Sequence, residues 1–243
     1  MTKLRGSKKV FEYLGFVFVL ATASLTRLWN LASPQKLVFD ETYYVKDALS
    51  LSQDGHEKNW PEGANAAFES GDVFSYLADP AFVVHPPFGK WLIASGMLLL
   101  GPENAAGWRI STALIGIATV ALLMLVAYKL FRSTKLALAA GFLLAIDGLA
   151  ITMSRTALLD APLTFFLLLG FLFFLADQEQ SRLKIATAIS SGKRSLVWFR
   201  PWLIATGIAL GAASSIKWSG LYLLAAIGSV SYTHLRAHET KAN

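Results

Sequence analysis

The chain has 243 residues, of which 54% are hydrophobic and 16% charged, and its formal net charge is +6. The apolar residues come in long blocks, which is typical of a membrane protein and not of a soluble core. The basic residues cluster in short segments between these blocks, as in cytoplasmic loops, so the charge does not indicate a nucleic-acid partner. No cysteine is present, which excludes disulfides and thiolate metal ligands.

The first element is an apolar run over residues 13–31, which approaches the length of about 20 helical residues needed to cross a bilayer. Residues 1–12 carry four basic side chains, so the positive-inside rule predicts a cytoplasmic N-terminus and an external loop over residues 32–104. Because no small-residue cleavage pattern follows the run, we expect a retained anchor and not a signal peptide.

An acidic pair, Asp40 and Glu41, follows this first span within the sequence Phe-Asp-Glu-Thr-Tyr-Tyr. Ionisable groups beside transmembrane segments are functional candidates because they are costly near the acyl chains. The alternative is structural, since Asp40 suits a helix N-cap, with Phe39 packing against Tyr44. The two interpretations are compatible.

Four further apolar blocks are predicted to span the membrane: residues 105–130, 136–153, 161–176 and 202–227. A shorter block, Phe88–Leu100, is ambiguous by length. If it lies along the outer interface, both later basic clusters fall in the cytoplasm, whereas a crossing would place them outside. We therefore predict an interfacial helix and five crossings. The basic residues concerned are Lys129, Arg132, Lys135, Arg182, Lys184, Lys193, Arg194 and Arg200.

This topology brings the remaining ionisable side chains at the span edges to the extracytoplasmic face. They are scattered along the chain, so their convergence on one layer is what a binding or catalytic site requires. These residues are Asp40, Glu41, His85, Lys90, Arg109, Arg155, Asp160 and Lys217.

Carboxylates facing basic side chains at a membrane surface suit the transfer of a group from a lipid phosphate. A carboxylate can take the proton from an attacking hydroxyl. Arginine and lysine can neutralise the charge that builds on a departing phosphate. A groove in the helix bundle can hold the alkyl chain of the donor. The sequence predicts no metal site and leaves a metal requirement open.

Most of the other candidates could also have structural roles that involve neither catalysis nor ligand binding. His85 can shape the turn imposed by the two prolines that follow it. Arg109 and Arg155 can snorkel to lipid head groups, and Lys217 can serve as an interface anchor. Asp160 can cap a helix, although we favour a site role because it faces the same layer as Arg155.

Five short motifs together resemble those of the protein O-mannosyltransferases, glycosyltransferase family 39 in the GT-C superfamily. Each motif is weak alone, but their order and spacing over residues 13–226 make the set specific. They are residues 38–44 with the acidic pair, residues 85–90 (His-Pro-Pro-Phe-Gly-Lys), Gly107-Trp108-Arg109, Ser154-Arg155 with residues 158–160, and residues 211–220 with Lys217-Trp218.

The resemblance implies an all-α polytopic membrane protein of GT-C type, with two helices along the membrane in the first external loop. It implies transfer of mannose from polyprenyl-phosphate mannose to Ser or Thr of proteins outside the plasma membrane, with inversion at the anomeric carbon. Asp40 becomes the expected catalytic base, and Glu41 its partner in acceptor binding or loop architecture. The expected donor-binding residues are His85, Lys90, Arg109, Arg155, Asp160 and Lys217.

Two other functions stay open on the sequence. Another GT-C enzyme, such as an aminoarabinose transferase that modifies lipid, would differ in its acceptor. A polytopic transporter would instead place its charges near mid-membrane on broken helices.

The C-terminal residues 231–243 do not continue the apolar pattern. We expect them to continue neither a helix nor the family pattern, and to be a tail foreign to the protein. Residues 13–230 are then the N-terminal part of a catalytic module that has further spans downstream.

Overall fold

The computed structural model describes residues 2–191 and 199–239, and the side chains of residues 9–188, 190–191 and 199–230. Lys193 and Arg194, predicted to be cytoplasmic, lie outside the described residues. The described residues form ten helices. In chain order these are α1 (Thr2–Leu28), α2 (Glu41–Asp54), α3 (Ala64–Glu69), α4 (Phe88–Leu100), α5 (Ala105–Phe131), α6 (Thr134–Ile146), α7 (Gly148–Arg155), α8 (Asp160–Ser191), α9 (Pro201–Ser214) and α10 (Gly220–Glu239).

Three of the described helices are apolar and long enough to cross a membrane: Lys9–Leu28 of α1, all of α5, and Asp160–Ala188 of α8. Helices α6 and α7 form a fourth span if taken together, bent by 61°. At the bend, the Asp147 side chain accepts a hydrogen bond of 2.7 Å from the Ala150 amide and so starts α7. These helices confirm an all-α, polytopic membrane protein.

The predicted span over residues 202–227 is wrong as a single helix, because α9 ends at Ser214 and α10 begins at Gly220. The hydroxyls of Ser214 and Ser215 bond back to carbonyls four residues earlier, at 2.9 Å each. Such bonds compete with the helical pattern and favour a bend. The chain then turns inward and buries Ile216 completely. The break therefore provides the turn that carries Lys217.

Helix α10 also corrects the expectation for the C-terminus. It continues through residue 230 to Glu239, so the prediction that residues 231–243 continue no helix is wrong for residues 231–239. The proposed foreign origin of residues 231–243 stays a prediction.

The segment between α1 and α5 contains three short helices, α2, α3 and α4, where the family resemblance implied two. Helix α4 has the predicted bounds, and its 13 residues are too few to span a membrane. Its position along the outer interface stays a prediction. Gly89 in its first turn allows close packing, because a Cβ there would lie 2.7 Å from Leu159 and 3.0 Å from Ile216.

Two hydrophobic cores hold these helices together. The larger joins α2, α3, α4, α5, α8 and α9, and includes the fully buried side chains of Trp108, Phe68 and Ile93. The smaller joins α1, α5 and α6 around Val120 and Met124. Burial of a large apolar side chain contributes roughly 1.5–3 kcal/mol. The larger core therefore fixes the start of α2, and with it the acidic pair, against the spanning helices.

Candidate functional site

The Asp40 carboxylate lies at the start of α2 and is free of a capping role. Asp40 occupies the N-cap position but makes no side-chain capping bond. The predicted packing of Phe39 is also wrong, since its side chain is 73% exposed. Asp40 instead lies close to the Tyr44 hydroxyl, one turn later, and interacts with it electrostatically. A half-buried carboxylate with lone pairs to spare can accept a proton from a substrate hydroxyl.

Tyr44 and His85 form one wall around this carboxylate. Their ring centroids are 5.9 Å apart. Burial, followed by the charges of Asp40 and Asp160, raises the pKa of Tyr44 to about 12, so its hydroxyl keeps its proton at pH 7. Burial, followed by the charges of Lys217 and Lys90, lowers the pKa of His85, so the imidazole is neutral at pH 7. Its enclosed Nδ1 has no hydrogen-bond partner among the described residues.

Lys217 and Asp160 form an ion pair whose charges act on His85. The Lys217 ammonium lies 2.9 and 3.0 Å from the two Asp160 carboxylate oxygens. The lysine comes from the turn between α9 and α10, and the aspartate is the first residue of α8. The backbone amide of Phe88 donates to the Ser215 carbonyl at 3.1 Å, which ties this turn to the loop that carries His85. Four predicted residues, Asp40, His85, Asp160 and Lys217, are thus electrostatic neighbours.

Glu41 and Arg109 are enclosed beneath this site and form a structural pair. Glu41 is 0% exposed, and its oxygens accept from Arg109 at 2.7 and 2.8 Å. They also accept from the amides of Val38 and Ala157, at 2.9 and 2.8 Å. The other Arg109 donors bond three backbone carbonyls between residues 31 and 36. With all five guanidinium N–H groups used, Arg109 has no donor left for a phosphate. Of the two roles expected for Glu41, this geometry favours loop architecture.

Lys90 likewise forms buried ion pairs within the protein. Its side chain is 1% exposed and lies 2.9 Å from Asp47 and 3.1 Å from Glu57. This pairing holds the start of α4 against α2, and its charge reaches the site only through its effect on His85. The ion pairs with Asp47 and Glu57 argue against the predicted role of Lys90 in binding the lipid-linked sugar donor.

Arg155 lies in a separate groove. Its guanidinium donates to the carbonyls of Thr26, at 3.0 Å, and Asn30, at 3.4 Å. With Leu25 and Trp29, it lines an open, mostly apolar surface depression beside α1. The structure therefore does not bring Arg155 into the group around Asp40, and snorkelling is its simpler interpretation.

A second, more enclosed cavity of about 220 Å³ is lined by residues of α1, α5, α6, α7 and α8, and Asp160 is one of them. Its lining also includes Arg27, from the last turn of α1, whose side chain is 1% exposed. Arg27 is not among the predicted site residues, because residues 13–31 were predicted as a membrane anchor along their whole length. The sequence did carry a signal for Arg27, because a charged residue inside an apolar run is costly and therefore a functional candidate.

No group of three His, Asp or Glu side chains among the described residues is arranged to hold a metal ion.

Comparisons with known proteins identify the family of the chain. The family model described as dolichyl-phosphate-mannose-protein mannosyltransferase matches residues 99–238. The chain belongs to this family. The match extends into residues 231–238, although they were expected to depart from the family pattern.

Individual relatives match most of the chain. A polyprenol-phosphate-mannose–protein mannosyltransferase of Mycobacterium tuberculosis is 35% identical over 89% of the chain and 40% of its own length. One of Mycolicibacterium smegmatis is 36% identical over 86% of the chain and 39% of its own length. Human protein O-mannosyl-transferase 1 is 30% identical over 95% of the chain and 29% of its own length. The chain thus spans about two fifths of the bacterial mannosyltransferases it matches.

Proposed function

We propose that this chain is the N-terminal part of an enzyme that transfers mannose from polyprenyl-phosphate mannose to Ser or Thr hydroxyls of proteins. We place the reaction at the extracytoplasmic face of the plasma membrane. The observation that carries the proposal is the grouping of the Asp40 carboxylate and the Lys217–Asp160 pair around His85, in a chain of the mannosyltransferase family.

In the proposed reaction, the acceptor hydroxyl oxygen forms a bond to the anomeric carbon while Asp40 takes the hydroxyl proton. The bond between that carbon and the phosphate oxygen breaks, and polyprenyl phosphate leaves with the electron pair. Lys217 neutralises the charge that develops on the leaving phosphate. Asp160 orients the ammonium group. A single displacement of this kind inverts the anomeric carbon.

Family membership favours the transferase over the transporter considered from the sequence. The lipid-modifying aminoarabinose transferase shares the chemistry and differs in sugar and acceptor. Assays with the two donors and with peptide or lipid acceptors distinguish these enzymes.

The test is Asp40→Asn in the full-length protein that carries this segment. The amide keeps the shape of the carboxylate but cannot accept the proton. We expect donor binding to survive while turnover onto a Ser/Thr peptide falls by roughly 10² or more. Asp72→Asn, an exposed acid in the same loop, is the matched control. Near-normal turnover in Asp40→Asn would remove Asp40 as the base, and retained anomeric configuration would exclude a single displacement.

A further inference from the structure

Four cationic side chains lie around one carboxylate at the end of the bundle opposite the candidate site. Lys129 and Arg132, at the end of α5, both form ion pairs with Glu179 of α8. Arg182 follows Glu179 by one turn on the same face of α8. Lys135 lies in the first turn of α6, directly after the turn that contains Arg132. This basic cluster of four cations therefore has an excess of positive charge over its single anion.

The length of α8 places the basic cluster at the level of lipid head groups. Glu179 follows Asp160 of the candidate site by roughly 20 residues of one helix, which is about 30 Å at the α-helical rise. The hydrocarbon core of a bilayer has the same thickness, about 30 Å. A bilayer with one edge at the candidate site therefore has its other edge at Glu179. The connection between α5 and α6 is only Arg132 and Ser133, which is too short to leave this layer.

The backbone at Arg132 has a conformation that favours glycine. Arg132 ends α5 with φ at 52°, in the left-handed region, where a Cβ costs free energy and Gly or Asn is usual. The physical reason for an arginine here therefore lies in its side chain, which is 61% exposed. One of its five N–H groups donates to Glu179. The other four have no partner among the described residues and are available to an anion.

The surroundings of the turn between α5 and α6 suit a ligand with two different ends. Lys135 and Arg182 are exposed, and neither forms an ion pair with another described residue. Beside them, the apolar side chains of Phe131 and Leu136 are 61% and 50% exposed. A complementary ligand is anionic at one end, at the level of the cations, and apolar at the other. A soluble anion supplies only the first of these, whereas an anionic phospholipid supplies both.

We propose that the basic cluster binds the head group of an anionic phospholipid, with Phe131 and Leu136 against its acyl chains. Glu179 competes with the lipid phosphate for the same cations, so it limits the affinity. The positive-inside rule places this lipid in the cytoplasmic leaflet. The proposal is independent of the transferase reaction, because it concerns the opposite end of the bundle.

Native mass spectrometry of the full-length protein in detergent tests the lipid site, with phosphatidylglycerol and phosphatidylcholine of the same acyl chains as probes. The unsubstituted protein should bind phosphatidylglycerol more tightly. Lys135→Gln combined with Arg182→Gln removes two exposed cations without breaking an ion pair of the described residues, so the fold should persist. We expect the Kd for phosphatidylglycerol to rise about tenfold or more, since each basic residue at an anionic surface contributes a factor of about five. The Kd for phosphatidylcholine should stay within about twofold. Lys36→Gln, an exposed cation at the other end of the bundle, is the matched control.

Glu179→Gln separates lipid binding from a purely structural role of the ion pairs. The amide releases Lys129 and Arg132 to the lipid, so we expect phosphatidylglycerol to bind about fivefold more tightly. If the cations serve only to hold α5 against α8, the two lipids should instead change equally, which would contradict the proposal.

Three further outcomes would overturn the lipid site. One is equal affinity of the unsubstituted protein for both lipids. Another is a preference for phosphatidylglycerol that survives in the double variant, or that falls as far in Lys36→Gln. The third is displacement of phosphatidylglycerol by glycerol phosphate at equal concentration, because the site would then recognise a free phosphate and not a lipid.

Discussion

The neighbours Asp40 and Glu41 have opposite environments despite their adjacent positions. The sequence predicted that the pair mattered, but it could not divide the roles, because both are carboxylates at a span edge. The division depends on distant partners. Arg109 and the Ala157 amide lie 68 and 116 residues after Glu41 and enclose it, while Asp40 stays half-buried. Arg27 was not predicted for the same reason, because helix packing brings its partners, the carbonyls of Leu144 and Ala145, next to it.

Replacing Glu41 should chiefly destabilise the fold. Glu41→Ala leaves the buried Arg109 charge without its partner, which typically costs about 3–5 kcal/mol. Chemical unfolding of the purified protein in detergent measures this loss, and Glu62→Ala, in the exposed part of the same segment, is the control with no expected change. Normal stability combined with a loss of turnover as large as that of Asp40→Asn would instead make Glu41 part of the chemistry.

The helices were predictable where hydrophobicity alone decides them. The bounds of α4 and the existence of α1, α5 and α8 follow from apolar length and flanking charge. The break between α9 and α10 was not predictable, because Ile216 is apolar whether it continues a helix or turns into the core. Serines at 214 and 215 are compatible with both outcomes until the tertiary contacts are known.

The turn between α9 and α10 should depend on Gly220. A Cβ there would lie 2.5 Å from the Ser214 amide nitrogen and 2.6 Å from the Ala213 carbonyl carbon, which are backbone atoms that cannot move aside. Gly220→Ala should therefore cost about 1–3 kcal/mol, in the range for overpacking. Gly207→Ala in α9 meets nothing within 4 Å and should be neutral or slightly stabilising. Equal unfolding free energies for the two variants would contradict the close approach.

In the whole molecule, the candidate site lies at one end of the spanning helices. Asp160 starts α8, Lys217 follows α9, and Asp40 follows α1. The positive-inside rule puts this end outside the cytoplasm. Orientation across a membrane depends on the charges of the flanking segments, and the positions of the helices relative to one another do not determine it. It therefore needs its own measurement.

Labelling of single cysteines tests the orientation, and the absence of native cysteine gives a clean background. An impermeant maleimide applied to intact cells should label Ser70→Cys, an exposed residue before the predicted outer interface. Ser133→Cys and Ser191→Cys should react only after the cells are permeabilised. Labelling of either position from outside would reverse the arrangement and remove the proposed extracytoplasmic reaction.

The burial of Glu41 also determines when the start of α2 can fold while the chain is being synthesised. The carboxylate reaches its final partners only after Arg109 and Ala157 have been translated, 68 and 116 residues later. Until α5 and α7 have left the translocon, Glu41 has to remain hydrated or be protected by the insertion machinery. The start of α2, and Asp40 with it, can therefore reach its final position only after α5 and α7 have entered the bilayer, so the acidic pair is assembled late in the synthesis of this segment.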